Sequence, residues 1–288
     1  MGFDKIPITL VKQCLRYFIK PLVHVYNISL QTGIFPDMMK KAKIKPLFKN
    51  GDRQNIKNYR PISILPVFSK PLEKLMHSRL LLFLKKHNIL TSEQHEFMES
   101  KSTETAGHSF IQNVQEALDK QQHVVGIFLD TSKAYDVINH NKLLDKLDSY
   151  GIRGLGKKWF QSYLTNRTQF VEITHREKGK HIQYRFQSST KTALYGIPQG
   201  SILGPLLFLV YINDISLNIQ GAKLVLYADD TNVLVMDRNE EVPKTKLFSV
   251  MEQLERWFHK NDFVVNTTKT AAVSILAIQS RHLNHQSL

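Results

Sequence analysis

Apolar residues recur at helical spacing along several stretches of the chain, with polar residues on the opposite face. The first stretch predicts a helix over residues 8–32, which Pro21 would kink or divide. The second predicts an amphipathic helix over Ser69–Lys86, with an apolar face formed by Leu72, Leu75, Met76, Leu80 and Phe83. Further helices are predicted over residues 102–121, 139–149 and 155–164, and in a late segment with the apolar face Leu247, Val250, Met251, Leu254, Trp257 and Phe258.

Strand-like patterns, with alternating or short continuous apolar runs, separate these helices. They cover Lys43–Phe48, Val124–Leu129, residues 168–195 and Lys223–Met236. The third segment has a polar turn around Gly179, and the fourth is predicted to be a hairpin whose turn contains Asp229 and Asp230. The mixture predicts an α+β fold, with an antiparallel sheet backed by helices.

Charge is the most informative feature of the composition. The 288 residues include 39 Lys and Arg against 25 Asp and Glu, a net charge of +14, and 42% hydrophobic residues exclude a mainly disordered chain. Residues 40–60 hold eight basic residues and only one acid, Asp52. A folded chain this basic is expected to bind a polyanion.

Cys14 is the single cysteine, so an internal disulfide and a cysteine-based zinc site are excluded.

The apolar runs argue against a membrane as that polyanion. The longest, Ile202–Ile215, is interrupted by Gly204, Pro205, Asn213 and Asp214, and is too short to span a bilayer. Charged residues near the N-terminus break any signal-peptide core. The expectation is therefore an intracellular protein, nuclear or cytoplasmic and not secreted, whose partner is nucleic acid.

Three acids at the ends of apolar strands are candidates for metal binding. Asp130 ends the run Val124–Leu129, while Asp229 and Asp230 interrupt the predicted hairpin. Carboxylates beside apolar strands are costly unless they are paired, hydrated or metal-bound. Three acids meeting across two adjacent strands could hold two Mg²⁺ ions about 4 Å apart, as phosphoryl transfer requires. The alternative is a solvated Asp-Asp turn. No phosphate loop of the GKS or GKT type is present, so an ATPase has no support.

Two further features could bind a nucleotide. Lys49 and Arg60, on a predicted hairpin and the loop after it, could clamp a triphosphate, although a solvated basic face is the alternative. The glycine-rich segment Gly196–Gly204 would allow close approach of backbone to a ligand. Its glycines could instead pack helices, but Pro198 and Pro205 disfavour one continuous helix there.

Four segments, in order along the chain, resemble the motifs of reverse transcriptases of the non-LTR retrotransposon branch, and most closely those of jockey-like elements. Between about Gly2 and Thr270 they are a fingers motif, the first catalytic motif, the template- and nucleotide-binding loop and the second catalytic motif. The segments are Asn58–Ser63, Phe128–Asp136, Gly196–Pro205 and Tyr227–Asp230.

The resemblance implies a right-hand polymerase fold in a single reverse transcriptase domain, with an N-terminal extension and fingers over residues 1–122 and a palm over residues 123–288. It implies an RNA-directed DNA polymerase, a nucleotidyltransferase that adds deoxynucleotides to a primer 3′-hydroxyl with two Mg²⁺ ions, or Mn²⁺ in their place. The implied partners are an RNA template, a DNA primer, deoxynucleoside triphosphates and other domains of a larger polyprotein.

The resemblance also assigns roles to individual residues. Asp130, Asp229 and Asp230 are the implied metal-binding catalytic acids, and Lys269 would protonate the pyrophosphate. The residues implied to bind the incoming nucleotide are Lys49, Arg60, Tyr135, Gln199 and Gly200. Among them, Tyr135 would lie under the deoxyribose and exclude a 2′-hydroxyl. Asp136 is expected to be an acid at a helix N-terminus.

Two departures from the family pattern keep an alternative open. Glu96 and Met98 stand where the family has glycine and arginine. The chain ends soon after Thr270, so the expectation is that the thumb is absent and that the chain is a fragment. The alternative is a catalytically inactive, nucleic-acid-binding remnant of a retrotransposon. A splicing partner of the intron-maturase type is a third and weaker possibility.

Overall fold

The computed structural model describes residues 2–176, 183–239 and 242–275, so the predicted turn around Gly179 lies outside the described residues. The described residues contain eight α-helices and nine β-strands. The helices are α1 Ile8–Thr32, α2 Ser69–Lys86, α3 Thr103–Asp119, α4 His140–Ser149, α5 Gly154–Leu164, α6 Gly204–Ile212, α7 Ile215–Asn218 and α8 Val242–Lys260. The strands are β1 Ala42–Phe48, β2 Tyr59–Ile64, β3 His123–Leu129, β4 Arg167–Arg176, β5 Gln183–Gln187, β6 Lys191–Ala193, β7 Lys223–Tyr227, β8 Asp230–Asp237 and β9 Ala271–Ile275.

The chain divides into two compact units, each built from two separate stretches of sequence. Unit 1 is formed within residues 1–89 and 135–211, and unit 2 within residues 90–134 and 212–288. No helix among the described residues has the length and apolar character needed to cross a bilayer.

Unit 1 contains a mixed sheet with the strand order β2-β1-β4-β5, and β6 also pairs with β4. The β1–β4 pair is parallel, so this sheet is mixed and the predicted antiparallel pattern does not extend to it. Strand β2, whose Pro61 lacks the N–H of a strand ladder, contains Arg60, which the sequence predicts to lie in a loop. It is a strand at the sheet edge, where a missing donor is tolerated.

Helices complete the core of unit 1. Phe35 packs edge-on against Trp159 and Tyr163 of α5, with ring centroids 5.4 and 5.1 Å apart. Helix α1 continues through Pro21, so of the two predicted effects of this proline, a kink or a division, the division is wrong. Helix α2 has the predicted bounds, but its buried face differs. Leu75 is 38% exposed, whereas Glu73 is fully buried.

Unit 2 contains the antiparallel sheet β7-β8-β3-β9. Helices α3 and α8 contact β3 and β8, and Val233, Leu234 and Val235 of β8 are fully buried. Strand β9 was not predicted, because its sequence Ala-Ala-Val-Ser-Ile is short and its residues are largely exposed at the sheet edge. The sheet places the end of β3 beside the start of β8.

Candidate active site

The three acids predicted to bind metal lie at one end of the sheet in unit 2. Leu129, the last residue of β3, pairs with Thr231 of β8, so the next residues, Asp130 and Asp230, are at the same end of neighbouring antiparallel strands. Tyr227 pairs with Asp230, and the turn between them consists of Ala228 and Asp229. Asp230 is thus the first residue of β8, which corrects the prediction that both aspartates lie in the turn.

Backbone and side-chain hydrogen bonds hold this hairpin tip in place. Thr131 Oγ1 donates to the carbonyl of Asp229 at 3.2 Å, which connects the tip to the residue after Asp130. On the other side, the Gln94 side-chain oxygen accepts from the amide of Ala228 at 3.1 Å, and Gln94 is 3% exposed. Ala228 has a left-handed backbone with φ of +47°, which the tight turn requires. The backbone that carries Asp229 is therefore held from both sides.

Lys269 lies directly on the first acid. Its Nζ donates to Asp130 Oδ2 at 2.8 Å, and Asn266 Nδ2 donates to the same oxygen at 3.2 Å. The Asn266 amide also donates to the Asp130 carbonyl at 2.8 Å. The segment after α8 thus brings the predicted Lys269 to a predicted metal ligand 139 residues earlier.

A fourth carboxylate, that of Glu96, lies within electrostatic reach of Asp229 and Asp230. Burial raises the pKa of Glu96, and the negative charges of Asp229 and Asp230 raise it further. The sequence marked Glu96 only as a departure from a motif, and no local pattern places it beside acids more than 130 positions away. No three His, Cys, Asp or Glu side chains form a ready-made metal cluster in the part of the chain that the structure describes.

The residues predicted to bind the nucleotide all lie in unit 1, whereas the predicted metal ligands and Lys269 lie in unit 2. Within unit 1, Gln199 Nε2 donates to Asp136 Oδ1 at 2.9 Å, and the Gln199 carbonyl accepts from the Ser63 amide at 2.7 Å. Asp136 is not a helix N-terminal acid, because α4 begins at His140 and is capped by Asn139. That expectation is wrong, and the observed role of Asp136 is to hold Gln199.

The same loop is joined to the segment that carries Tyr135. The Gly196 amide donates to the Ile138 carbonyl at 2.8 Å, and the Ile197 amide donates to the Tyr135 carbonyl at 2.9 Å. The Tyr135 ring stacks on Phe208, with centroids 4.6 Å apart and planes 12° apart. Tyr135 and Gln199, predicted separately as nucleotide contacts, are therefore parts of one hydrogen-bonded assembly.

Lys49 and Arg60 lie where strands β1 and β2 meet the loop that connects them. Arg60 is on β2, opposite Leu47 of β1, and not in a loop as predicted. The Lys49 amide donates to the Asn58 carbonyl at 2.9 Å just beyond this pairing. Both side chains are exposed, and neither forms an ion pair with a described residue. These two cations are thus available to an anionic ligand.

His140 makes the stability of this loop depend on pH. Its Nε2 donates to the Gly196 carbonyl at 2.8 Å. Burial, with the charge of Arg167, lowers the pKa of His140. The unfolded chain, with a histidine pKa of about 6.5, takes up the proton more readily, so stability decreases as the pH falls below that value.

We expect His140→Gln to reduce this acid sensitivity. Urea unfolding at about pH 7.5 and about pH 5.5 should show a smaller loss of unfolding free energy in the variant than in wild type. The exposed His24→Gln is the control and should behave like wild type. An unchanged loss in His140→Gln would contradict the assignment.

Comparison with known proteins identifies the family of this chain. Residues 41–285 match the family model described as "Reverse transcriptase (RNA-dependent DNA polymerase)". The RNA-directed DNA polymerase from mobile element jockey of Drosophila melanogaster is 29% identical over 264 residues, which cover 88% of this chain. The probable RNA-directed DNA polymerase from transposon BS of the same species is 28% identical, with 86% of this chain covered. The chain spans 27% of the length of each of these relatives.

Solved structures show the same fold at much lower sequence identity. The apo telomerase from Candida tropicalis superimposes with a TM-score of 0.57 and 14% identity, covering 89% of this chain and 49% of that one. A form truncated from the C-terminal domain gives a TM-score of 0.55 and 15% identity, covering 86% and 52%. Because the family model matches residues 41–285, which are most of its length, the chain belongs to the reverse transcriptase (RNA-dependent DNA polymerase) family.

Proposed function

We propose that this chain is an RNA-directed DNA polymerase domain, which adds deoxynucleotides to a primer 3′-hydroxyl on an RNA template. The observation that carries the proposal is the grouping of Asp130, Asp229 and Asp230 at one sheet end, with Lys269 bonded to Asp130. In this proposal residues 1–122 correspond to the N-terminal extension and fingers, and residues 123–288 to the palm.

The acids fit a magnesium site in their donor chemistry. Mg²⁺ prefers carboxylate oxygens from one or two side chains together with waters and substrate phosphates. Asp130 Oδ1 has no hydrogen-bond partner among the described residues, and the negative charges of Asp229 and Asp230 raise the pKa of Glu96. Asp130, Asp229 and Asp230 would hold two ions, and Mn²⁺ could use the same donors. Bound ions would favour ionisation of the attacking hydroxyl and offset charge on the leaving pyrophosphate.

The other residues bind the nucleotide and move a proton. Lys49 and Arg60 would hold the triphosphate by charge and by a planar fork of donors. Gln199 and Gly200 would line the nucleotide pocket, and the Tyr135 ring, fixed by stacking on Phe208, would reject a 2′-hydroxyl. Lys269 would hold the proton at Nζ that the pyrophosphate receives.

Primer extension tests the proposal directly. The purified chain should extend a labelled DNA primer on an RNA template with Mg²⁺, and omission of one deoxynucleotide should stop extension at the matching template base. Chelation of Mg²⁺ is the control that should abolish extension. The +14 charge and Glu96 are the features on which the alternative, a catalytically inactive, nucleic-acid-binding remnant, rests. Salt-sensitive binding of an RNA–DNA duplex without any extension would support that alternative and overturn the proposal.

The charge of Glu96 should strengthen cation binding at the acids. We expect Glu96→Gln to weaken Mn²⁺ binding about threefold, since one negative charge is removed beside Asp229 and Asp230. Isothermal titration with Mn²⁺ measures this without any need for catalysis. Glu116→Gln, an exposed residue of α3, should leave the affinity unchanged. Tighter binding in Glu96→Gln would contradict the expected sign.

The charge of Lys269 should have the opposite effect. We expect Lys269→Met to strengthen Mn²⁺ binding about threefold, because the ammonium on Asp130 Oδ2 is removed. Primer extension should nevertheless slow by about tenfold, since water replaces an exposed proton donor only in part. Lys223→Met, which breaks an ion pair with Glu116, is the matched control. Unchanged values in both measurements would remove Lys269 from the site.

A further inference from the structure

A buried carboxylate of α2 remains outside the roles assigned so far. Glu73 follows Leu72 on the helix and is fully buried, although the helical pattern predicts that only apolar residues of α2 are buried. Burial of an ionisable group is costly unless its oxygens are hydrogen-bonded and its charge is compensated. The surroundings of Glu73 meet both conditions.

Each oxygen of Glu73 has its own partner. Oε1 accepts from Ser69 Oγ at 2.8 Å within the same helix, and Oε2 accepts from the backbone amide of Ile202 at 2.8 Å. The guanidinium of Arg167, which is 3% exposed, supplies positive charge. Burial raises the pKa of Glu73, whereas the hydrogen bonds and the charge of Arg167 lower it. One carboxylate therefore joins α2 to a loop 129 residues later.

The loop that Glu73 holds is the glycine-rich one. Ile202 lies two residues after Gly200, whose φ is +107° and whose added Cβ would lie 2.9 Å from the Ser63 carbonyl. On the near side, the loop is held by the bond from Gln199 to Asp136. After Gly200, the loop is held by the hydrogen bond from the Ile202 amide to the Glu73 carboxylate. Gln199 and Gly200 thus lie between two carboxylate anchors.

We propose that Glu73 is a positioning residue, which fixes the Gln199–Gly200 backbone for the incoming deoxynucleotide through its bond to the Ile202 amide. The inference rests on the proposed function, in which Gln199 and Gly200 line the nucleotide pocket. Glu73 itself touches no substrate, because it is fully buried between α2 and the loop.

Glu73→Gln tests this role with little change in shape. A neutral amide oxygen accepts a weaker hydrogen bond than a carboxylate does, so the Ile202 amide should be held less firmly. Hydrogen exchange of peptides covering residues 199–204 should become faster in the variant. The KM for deoxynucleotides should rise about tenfold while kcat changes less than about twofold, because the loop is displaced and the chemistry is not.

Leu80→Ala is the matched control, since Leu80 lies on the same helix about two turns after Glu73 and is 4% exposed. It should lower the melting temperature while leaving exchange at residues 199–204 and the KM at wild-type values. If Glu73→Gln behaves like Leu80→Ala in both measurements, the positioning role is wrong.

The two proposals can fail separately. If wild type extends no primer, the polymerase proposal fails, and hydrogen exchange still shows whether Glu73 holds the loop. If wild type extends primers and Glu73→Gln leaves both exchange and the KM unchanged, only the positioning role fails. If Glu73→Gln does not fold, Ser69→Ala, which removes one hydrogen bond from the same carboxylate, is expected to give a smaller change in the same direction.

Discussion

Asp229→Asn is expected to lower primer extension on an RNA template by about a thousandfold or more. A metal-bound carboxylate contributes to several kcal/mol of transition-state charge stabilisation, and about 1.4 kcal/mol corresponds to a tenfold change in rate. The amide keeps the size of the side chain but removes the charge at the tip of the β7–β8 hairpin. The measurement is the initial rate of extension at saturating deoxynucleotide and Mg²⁺.

Asp237→Asn is the control for this substitution, because Asp237 lies at the opposite end of the same strand, β8, and pairs with His123. It makes the same chemical change on the same element and should extend primers at the wild-type rate. Retention of more than about a tenth of the activity in Asp229→Asn would exclude Asp229 from the metal site. Equal loss in both variants would point to a general effect on folding.

Gly196→Ala is expected to destabilise the protein by more than about 2 kcal/mol. Gly196 has φ of +81°, and an added Cβ would lie 2.8 Å from the Asp136 carbonyl and 3.0 Å from the Tyr135 carbonyl. Both neighbours are backbone atoms, and the loop is held there by the bond from the Gly196 amide to Ile138. Neither side can move without breaking that bond. Urea unfolding measures the effect.

Gly107→Ala is the matched control for the glycine substitution. Gly107 is inside α3 and has no atom within 4 Å of an added Cβ. Alanine is the better helix former, so the substitution should stabilise the protein by about 0.5–1 kcal/mol. If Gly196→Ala is as stable as Gly107→Ala, the result would contradict the close approach of Gly196 to the Tyr135 and Asp136 backbone.

Long periodic elements could be predicted from the sequence, because their pattern is repeated over many residues. Helix α2 has the predicted bounds Ser69–Lys86, and β3 extends the predicted strand by one residue. The edge strands β2 and β9 were not predicted. The local pattern of apolar residues does not predict these strands, since an edge strand is defined by the neighbouring strand with which it pairs.

The candidate site divides in the same way. The acids Asp130, Asp229 and Asp230 and the loop at Gly196–Gly204 were visible in the sequence, because unusual residues stand at the ends of apolar runs or cluster in glycine-rich segments. Their surroundings were not visible. The bond from Gln199 to Asp136 replaces an expected helix-terminal role, and Glu96 joins acids distant in sequence.

The amino-acid sequence by itself determined the family, the long periodic helices and central strands, and the identity of the candidate acids, because these depend on local pattern and motif spacing. Only the tertiary structure decided which groups meet. Glu73 with Ile202 and Lys269 with Asp130 are separated by 129 and 139 residues. Such pairs leave no periodic signal, and they form only because packing brings the backbones together and buried or partly buried charges require partners.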